Sequence, residues 1–187
     1  MVDQETGSLW SHLLGRAMSG PMEGTNLKTL PGLMTDWKTW RQMHPKTTVV
    51  MLSRTSGEYH REFYKQPKRF VVGIADGDAA RAWPFDQLLE QPVVNDSFEG
   101  KPLVVVFDAQ SKTAFLFDRR VRGQAVELTL RDGRLTDEQF GAAWDARTGQ
   151  VISDGADVAD LTPIPGIVSY RHTWEVFHPK SEMFQAK

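Results

Sequence analysis

The sequence predicts an α+β, β-rich fold in which one short unit occurs twice, near the two ends of the chain, around a β-rich middle. Three observations predict it. Residues 27–47 set against residues 161–181 without a gap, several runs are β-branched or aromatic and of strand length, and Asp132-Gly133 stands between two such runs as a hairpin turn. In the self-alignment Pro31-Gly32 falls on Pro165-Gly166, Thr39-Trp40 on Thr173-Trp174, and His44-Pro45-Lys46 on His178-Pro179-Lys180. Unmatched positions keep their character: Leu30 with Ile164, Leu33 with Ile167, Thr35 with Ser169, and Met43 with Phe177. An acidic residue and a Thr-Gly pair precede each copy, in Asp3-Gln4-Glu5-Thr6-Gly7 and in Asp145-Ala146-Arg147-Thr148-Gly149. The expected organisation is one domain over 1–187, with repeat units at about 3–52 and 145–187 joined by a β-rich middle, 53–144.

Each element has a local reason. Pro-Gly makes a turn, because Pro fixes φ and Gly accepts φ above zero. Thr35 and Ser169 are expected as N-caps. Trp37, Trp40 and Met43, like Tyr170, Trp174 and Phe177, fall at helical spacing on one apolar face. Pro45 and Pro179 disfavour helical geometry at the histidine before them, so each helix should stop there after about two turns. Helices this short are not stable alone, and their tryptophan faces are expected to dock on sheet. Strand runs are Thr48–Leu52, Phe70–Ile74, Leu103–Phe107 and Ala114–Phe117. Asp76-Gly77-Asp78 should turn Val71–Ala75 into Ala80–Trp83, and Asp132-Gly133 should join Ala125–Leu130 to Arg134–Thr136. Phe85–Glu90 suits a short helix before Pro92.

Composition narrows the function classes. A net charge of -2 over 187 residues gives no electrostatic case for nucleic acid or an anionic membrane as partner. The basic clusters Lys65–Arg69 and Arg119–Arg122 read as solvated hairpin tips. The chain contains no cysteine, which excludes disulfides, thiolate metal sites and cysteine nucleophiles within it. No apolar run approaches the roughly 20 residues that span a bilayer, and Met1–Glu5 lacks the features of a signal peptide. The sequence reads as a soluble chain without an address. It has no Gly-x-Ser-x-Gly elbow, phosphate loop, His-Glu-x-x-His or dinucleotide fingerprint, so no catalytic residue is assigned.

Several residues are candidates for a site, each with a competing structural role. His44 and His178 could ligate a metal or share a ligand, with a third group from His12, His60 or a carboxylate. Alternatively each histidine finishes its helix by bonding the last carbonyls. Trp10, Trp40 and Trp174 could line a groove, or form core with their indole N–H groups satisfied. Asp118 and Arg119 could orient a substrate carboxylate, or pair with each other at a strand end. Asp3 with Thr6 and Asp145 with Thr148 read as side-chain-bonded turns rather than acid/base pairs. Asp76-Gly77-Asp78 fails the calcium-loop pattern at Ala80, and Asp154, Asp157 and Asp160 read as a solvated loop.

Asp3–Trp10, Gly20–Gly24 and Trp40–Pro45, followed by Val93–Asp96, Phe117–Arg119 and Trp174–Pro179, resemble the bacterial and archaeal domain-of-unknown-function family 3179 over nearly the whole chain. The resemblance implies a duplicated fold and no established activity. In that family a further segment, often with Cys-Pro-Leu-Cys, precedes the Asp-x-x-Thr-Gly-Ser-Leu-Trp motif, so this chain is expected to be an N-terminally truncated member. Val106–Gln110, the equivalent place in the second half, carries no cysteine. Relatives often carry export signals, which keeps an extracytoplasmic location open. Two functional readings follow. The first is a non-catalytic binding or structural module whose Trp/His units form the core and the walls of a groove. The second is a metal-binding or redox protein using His44 or His178 with cysteines from the upstream segment. The sequence names neither cofactor, ligand nor oligomeric state.

Overall fold

The computed structural model describes residues 1–49, 66–152 and 157–187. Lys65, His60 and Asp154 lie outside these residues, as does most of the expected strand Thr48–Leu52, whose described part, Thr48 and Val49, is not in a strand. In chain order the elements are β1 (Leu9–Ser11), β2 (Arg16–Ser19), α1 (Trp37–Met43), β3 (Phe70–Asp76), β4 (Ala79–Pro84), α2 (Phe85–Glu90), β5 (Val93–Phe98), β6 (Lys101–Asp108) and β7 (Thr113–Asp118). They continue with β8 (Arg120–Val121), β9 (Gln124–Ala125), β10 (Thr129–Arg131), β11 (Arg134–Thr136), β12 (Ala143–Asp145), β13 (Ile167–Tyr170), α3 (Arg171–Phe177) and β14 (Glu182–Met183). The fold is β-rich with three short α-helices and a single 3-10 turn, Pro67–Arg69, among the described residues, as the composition of the runs implies.

The sheets stack in layers. Antiparallel β5–β6–β7 lies in the middle and is buried on both faces, which is why Leu103–Phe107 and Ala114–Phe117 are continuously apolar rather than alternating. On one face Val104, Val106, Phe115 and Phe117 pack with Leu128, Leu135, Trp144 and Leu161. On the other, Leu103, Val105, Phe107 and Leu116 meet Phe70, Val72, Trp83 and Phe85. Those last residues belong to the second large sheet and to α2. This sheet has the order β13-β3-β4-β14, with β14 parallel to β4, so the C-terminal segment flanks both edges of the β3–β4 hairpin. Its far face carries Val71, Ala80, Ala82 and the ring of Trp174 from α3.

Local chemistry explains most boundaries. Gly77 at φ +58° closes β3–β4, and Asp132 and Gly133, both at positive φ, form the two-residue turn between β10 and β11. Both Trp-x-x-x-His helices end at the histidine, which has φ -128° in each. The caps differ from expectation. Asp36, not Thr35, caps α1 by accepting the Thr39 N–H at 2.7 Å, and Tyr170 precedes α3 with no side-chain cap. Thr35 instead accepts a 2.7 Å bond from the Thr113 hydroxyl of β7, and Ser169 has become part of β13.

Among the described glycines the tightest fit lies under α3. A Cβ placed on Gly73 of β3 would stand 2.4 Å from Cη2 of Trp174, and that indole is fully buried. Its N–H donates to Ser181 Oγ at 2.8 Å, so the ring cannot swing aside without losing a bond. Gly73→Ala should therefore cost about 1–3 kcal/mol of stability in urea unfolding, the range of core overpacking. Gly32→Ala, with no neighbour within 4 Å and no positive φ, should leave stability unchanged or raised. Equal midpoints for Gly73→Ala and the parent would contradict this packing.

Candidate functional site

Helix α1 stands off the body over β7, and between them lies a cavity of about 600 Å³. Leu33, Trp40 and Met43 wall it from the helix side, Phe115, Leu116 and Phe117 from β7, and Pro163, Ile164, Gly166 and Val168 along one flank. Its polar groups are Arg147, Thr148, Gln150 and His44. Among the described residues, contacts that fasten the helix above it are Thr113 to Thr35, Arg147 to Gln42, and Met43 against the cluster that holds Phe115 and Phe117.

Arg147 is positioned from the backbone upward. The Asp145 carboxylate accepts the N–H groups of Arg147 at 3.0 Å and Thr148 at 2.8 Å and the Thr148 hydroxyl at 3.0 Å, which closes a tight turn. Gly149 follows at φ +71°, where a Cβ would strike Phe117 at 2.8 Å. From this turn the guanidinium reaches Asp108 Oδ2 at 2.8 Å and Gln42 Oε1 at 3.1 Å. The second Asp108 oxygen accepts from the Gln110 and Ser111 amides. Burial pushes the Asp108 carboxyl upward, but those amides and the Arg147 charge outweigh it and hold the group below its ordinary value.

The N-terminal Asp-x-x-Thr-Gly stretch forms the same turn. Asp3 accepts the Thr6 N–H at 2.6 Å and its hydroxyl at 2.9 Å, and Gly7 sits at φ +70°. The Trp10 indole also donates to Asp3, at 2.8 Å, and is the largest of the influences that lower this carboxyl to about 2. Both stretches are thus structural turns, as their sequence suggests.

The two Trp/His pairs are locally alike. His44 N–H donates to the Trp40 carbonyl and His178 N–H to the Trp174 carbonyl, both at 2.8 Å. The imidazoles lie 4.1 and 4.2 Å from their indoles, at 42° and 40°. The indole N–H groups donate to Thr47 at 3.0 Å and to Ser181 at 2.8 Å. Their surroundings differ. Trp174 is sealed against Gly73, because β13 before it pairs with β3; the segment before α1 forms no strand, and Trp40 is half-buried in the cavity wall.

The histidines are accordingly separated. His44 lines the cavity under α1, whereas His178 and His12 line a different one of about 470 Å³ together with Arg16, Asp78 and Lys180. Among the described residues no group of three or more His, Asp or Glu is placed to hold a metal ion. The expected Asp118–Arg119 pair does not form. Arg119 stands between β7 and β8: Asp118 is engaged by Arg120, while Arg119 turns inward to the Val126 carbonyl at 2.7 Å and to Glu127 at 3.2 Å. The basic cluster is therefore not wholly solvated, since Arg119 is largely covered.

Sequence reasoning missed Arg147, Asp108 and Gln42. One signal was available: Arg147 occupies the position that Glu5 holds in the matching turn, a change of sign in an otherwise repeated frame. The resemblance motif Val93–Asp96 proves structural, for Asn95 exchanges two bonds with the backbone of Leu128, and Asp96 accepts from Trp83 and Arg81.

Layered sheets with a cavity of small-molecule size beneath a short helix define the class of this protein. The chain belongs to the family described as Protein of unknown function (DUF3179), whose model matches residues 1–69 and 60–181. No curated protein and no solved structure matches the chain. Among the described residues no helix is long and apolar enough to cross a membrane.

The half-buried His178 ring makes stability depend on pH. Its Nε2 is covered and has no hydrogen-bond partner among the described residues, and desolvation lowers its pKa from 6.5. The unfolded chain therefore binds the proton more readily, and stability must rise with pH across the gap. The contribution should be complete above about pH 6.5 and lost as pH falls towards the lowered folded value. Urea unfolding of the parent and of His178→Gln between pH 7.5 and about 5 should show curves that converge on acidification. Parallel curves would exclude this histidine as the cause.

Proposed function

We propose that this chain is a non-catalytic binding module whose ligand occupies the cavity beneath α1. We also propose that the two Pro-Gly/Trp/His-Pro stretches are copies of one unit within a single domain. The first reading rests on Trp40. Its helix carries the same histidine N–H bond at its C-terminus, the same ring stack and the same indole bond as α3, yet its indole borders a space of about 600 Å³ instead of a glycine-bearing strand. That volume falls within the roughly 300–1,000 Å³ of small-molecule sites, and the lining is mainly apolar with a few convergent polar groups, as such sites are built. Support for the copies is the agreement of both Asp-x-x-Thr turns and both Trp/His pairs in bonding pattern and in backbone angle. Trp40 and His44 are then ligand-facing, while Trp174 and His178 are assigned to folding. A metal or redox centre using both histidines is disfavoured, because they line separate cavities.

Nile red, a neutral apolar dye, should bind the folded protein and brighten. Gln150→Trp, an exposed position at the cavity wall, should weaken the dye about tenfold, a loss of roughly 1.4 kcal/mol, without lowering the melting temperature. His178→Gln should do the reverse, lowering stability by about 1 kcal/mol while leaving dye affinity alone. Dye binding indifferent to Gln150→Trp would place the dye elsewhere and remove the main support for a cavity ligand.

A further inference from the structure

We infer that the cavity's ligand is an amphipathic monocarboxylate, with its apolar body along Phe115, Phe117 and Trp40 and its carboxylate on Arg147. The inference rests on the binding reading above and adds the ligand's chemical class. Charge carries it first. Among the described residues Arg147 is the one Lys, Arg, Asp or Glu lining this cavity, and the remaining walls are apolar apart from Thr148, Gln150 and His44. A ligand amine would meet a guanidinium and no carboxylate, whereas a ligand carboxylate meets a fixed cation.

The geometry carries it second. A guanidinium offers five N–H donors, and Arg147 directs one to Asp108 and one to Gln42. The others make no hydrogen bond shown among the described residues, and about a third of the side chain is exposed. Asp108 does not line the cavity, and its oxygens are already engaged by Arg147 and by the Gln110 and Ser111 amides. It therefore holds the guanidinium in place rather than recruiting a cationic ligand of its own. A planar fork held from behind suits a carboxylate better than a hydroxyl or a bulky neutral group. The Gln150 side-chain amide adds a neutral donor on the same wall.

The apolar part is equally defined. Phe115 and Phe117 are fixed in the central sheet, while Met43 and Leu33 come from the helix side, where flexible or less buried side chains can adjust to the ligand. A single acyl chain or a small aromatic acid fits such a wall; a polyanion does not, because one cation cannot satisfy it.

The test compares decanoate, 1-decanol and decylamine at neutral pH, each displacing Nile red from the full chain. Decanoate should bind about tenfold more tightly than decanol, as expected for one charge-assisted bond at a partly exposed site, and decylamine more weakly than decanol. High salt should narrow the preference. The double variant Asp108→Asn/Arg147→Met removes both charges and leaves no orphaned carboxylate; its decanoate-to-decanol ratio should fall to about one. Should that variant fail to fold, the salt dependence and the head-group comparison in the parent still decide. Equal affinities for decanoate and decanol in the parent would overturn the carboxylate assignment and leave the cavity reading intact. No displacement by any of the three, with no dye bound, would overturn both.

Discussion

The Trp174 ring against Gly73 is the contact on which the C-terminal segment from β13 to β14 depends. Helix α3 has seven residues and no side-chain cap, far too little to persist by its own hydrogen bonds. It is held because its indole fills the one place on β3 that has no side chain, while β13 before it and β14 after it pair with the two edges of the same hairpin. Helix and strands thus reinforce one another. With any larger residue at Gly73, the ring, β13 and β14 would have to shift together, because all three are bonded within a span of seventeen residues, 167–183.

The parts of this arrangement that local chemistry dictates could be read from the sequence. Pro45 and Pro179 end the helices at the preceding histidines, Phe85–Glu90 forms a helix with those limits, and Asp132-Gly133 closes the hairpin foreseen for it. The continuously apolar runs became the strands buried on both faces. What could not be read depends on distant partners. Ile167–Tyr170 looks like the approach to a helix and becomes β13 only because β3 lies alongside, and Glu182–Met183 is too short to signal a strand at all. The cap of α1 shows the same limit. Thr35 and Asp36 are both competent, and the choice falls to Asp36 because Thr35 is taken by Thr113, a residue far along the chain.

The site divides in the same way. Trp40 and His44 were legible, since their spacing repeats that of Trp174 and His178, but which pair would border open space was not. That depends on what lies opposite each helix rather than on the helix itself. Arg147 escaped notice because Asp145 and Thr148 explain the turn completely, and the residue between them is free to be anything the turn projects. In the N-terminal turn the projected residue is Glu5, exposed; in the second it is an arginine that joins β6 to α1. The frame sets the direction and the substitution sets the chemistry.

One physical term then accounts for the different settings of the two Trp-x-x-x-His helices. Burying apolar surface is worth about 25 cal/mol per Å², and Trp174 collects it fully through the strand beneath it. Helix α1 keeps its shape through its own Asp36 cap, His44 stack and Thr47 bond, so it needs no strand to remain helical in this setting. Contacts at its margins hold it over β7. The apolar surfaces of Trp40 and Leu33 are consequently left only partly covered, and the stabilisation that Gly73 supplies to Trp174 is unspent here. An apolar ligand body would draw on that same term, reduced by the cost of immobilising the ligand, while Arg147 would decide which ligands qualify. Affinity and selectivity at this cavity would then come from different residues, and each should be alterable without the other.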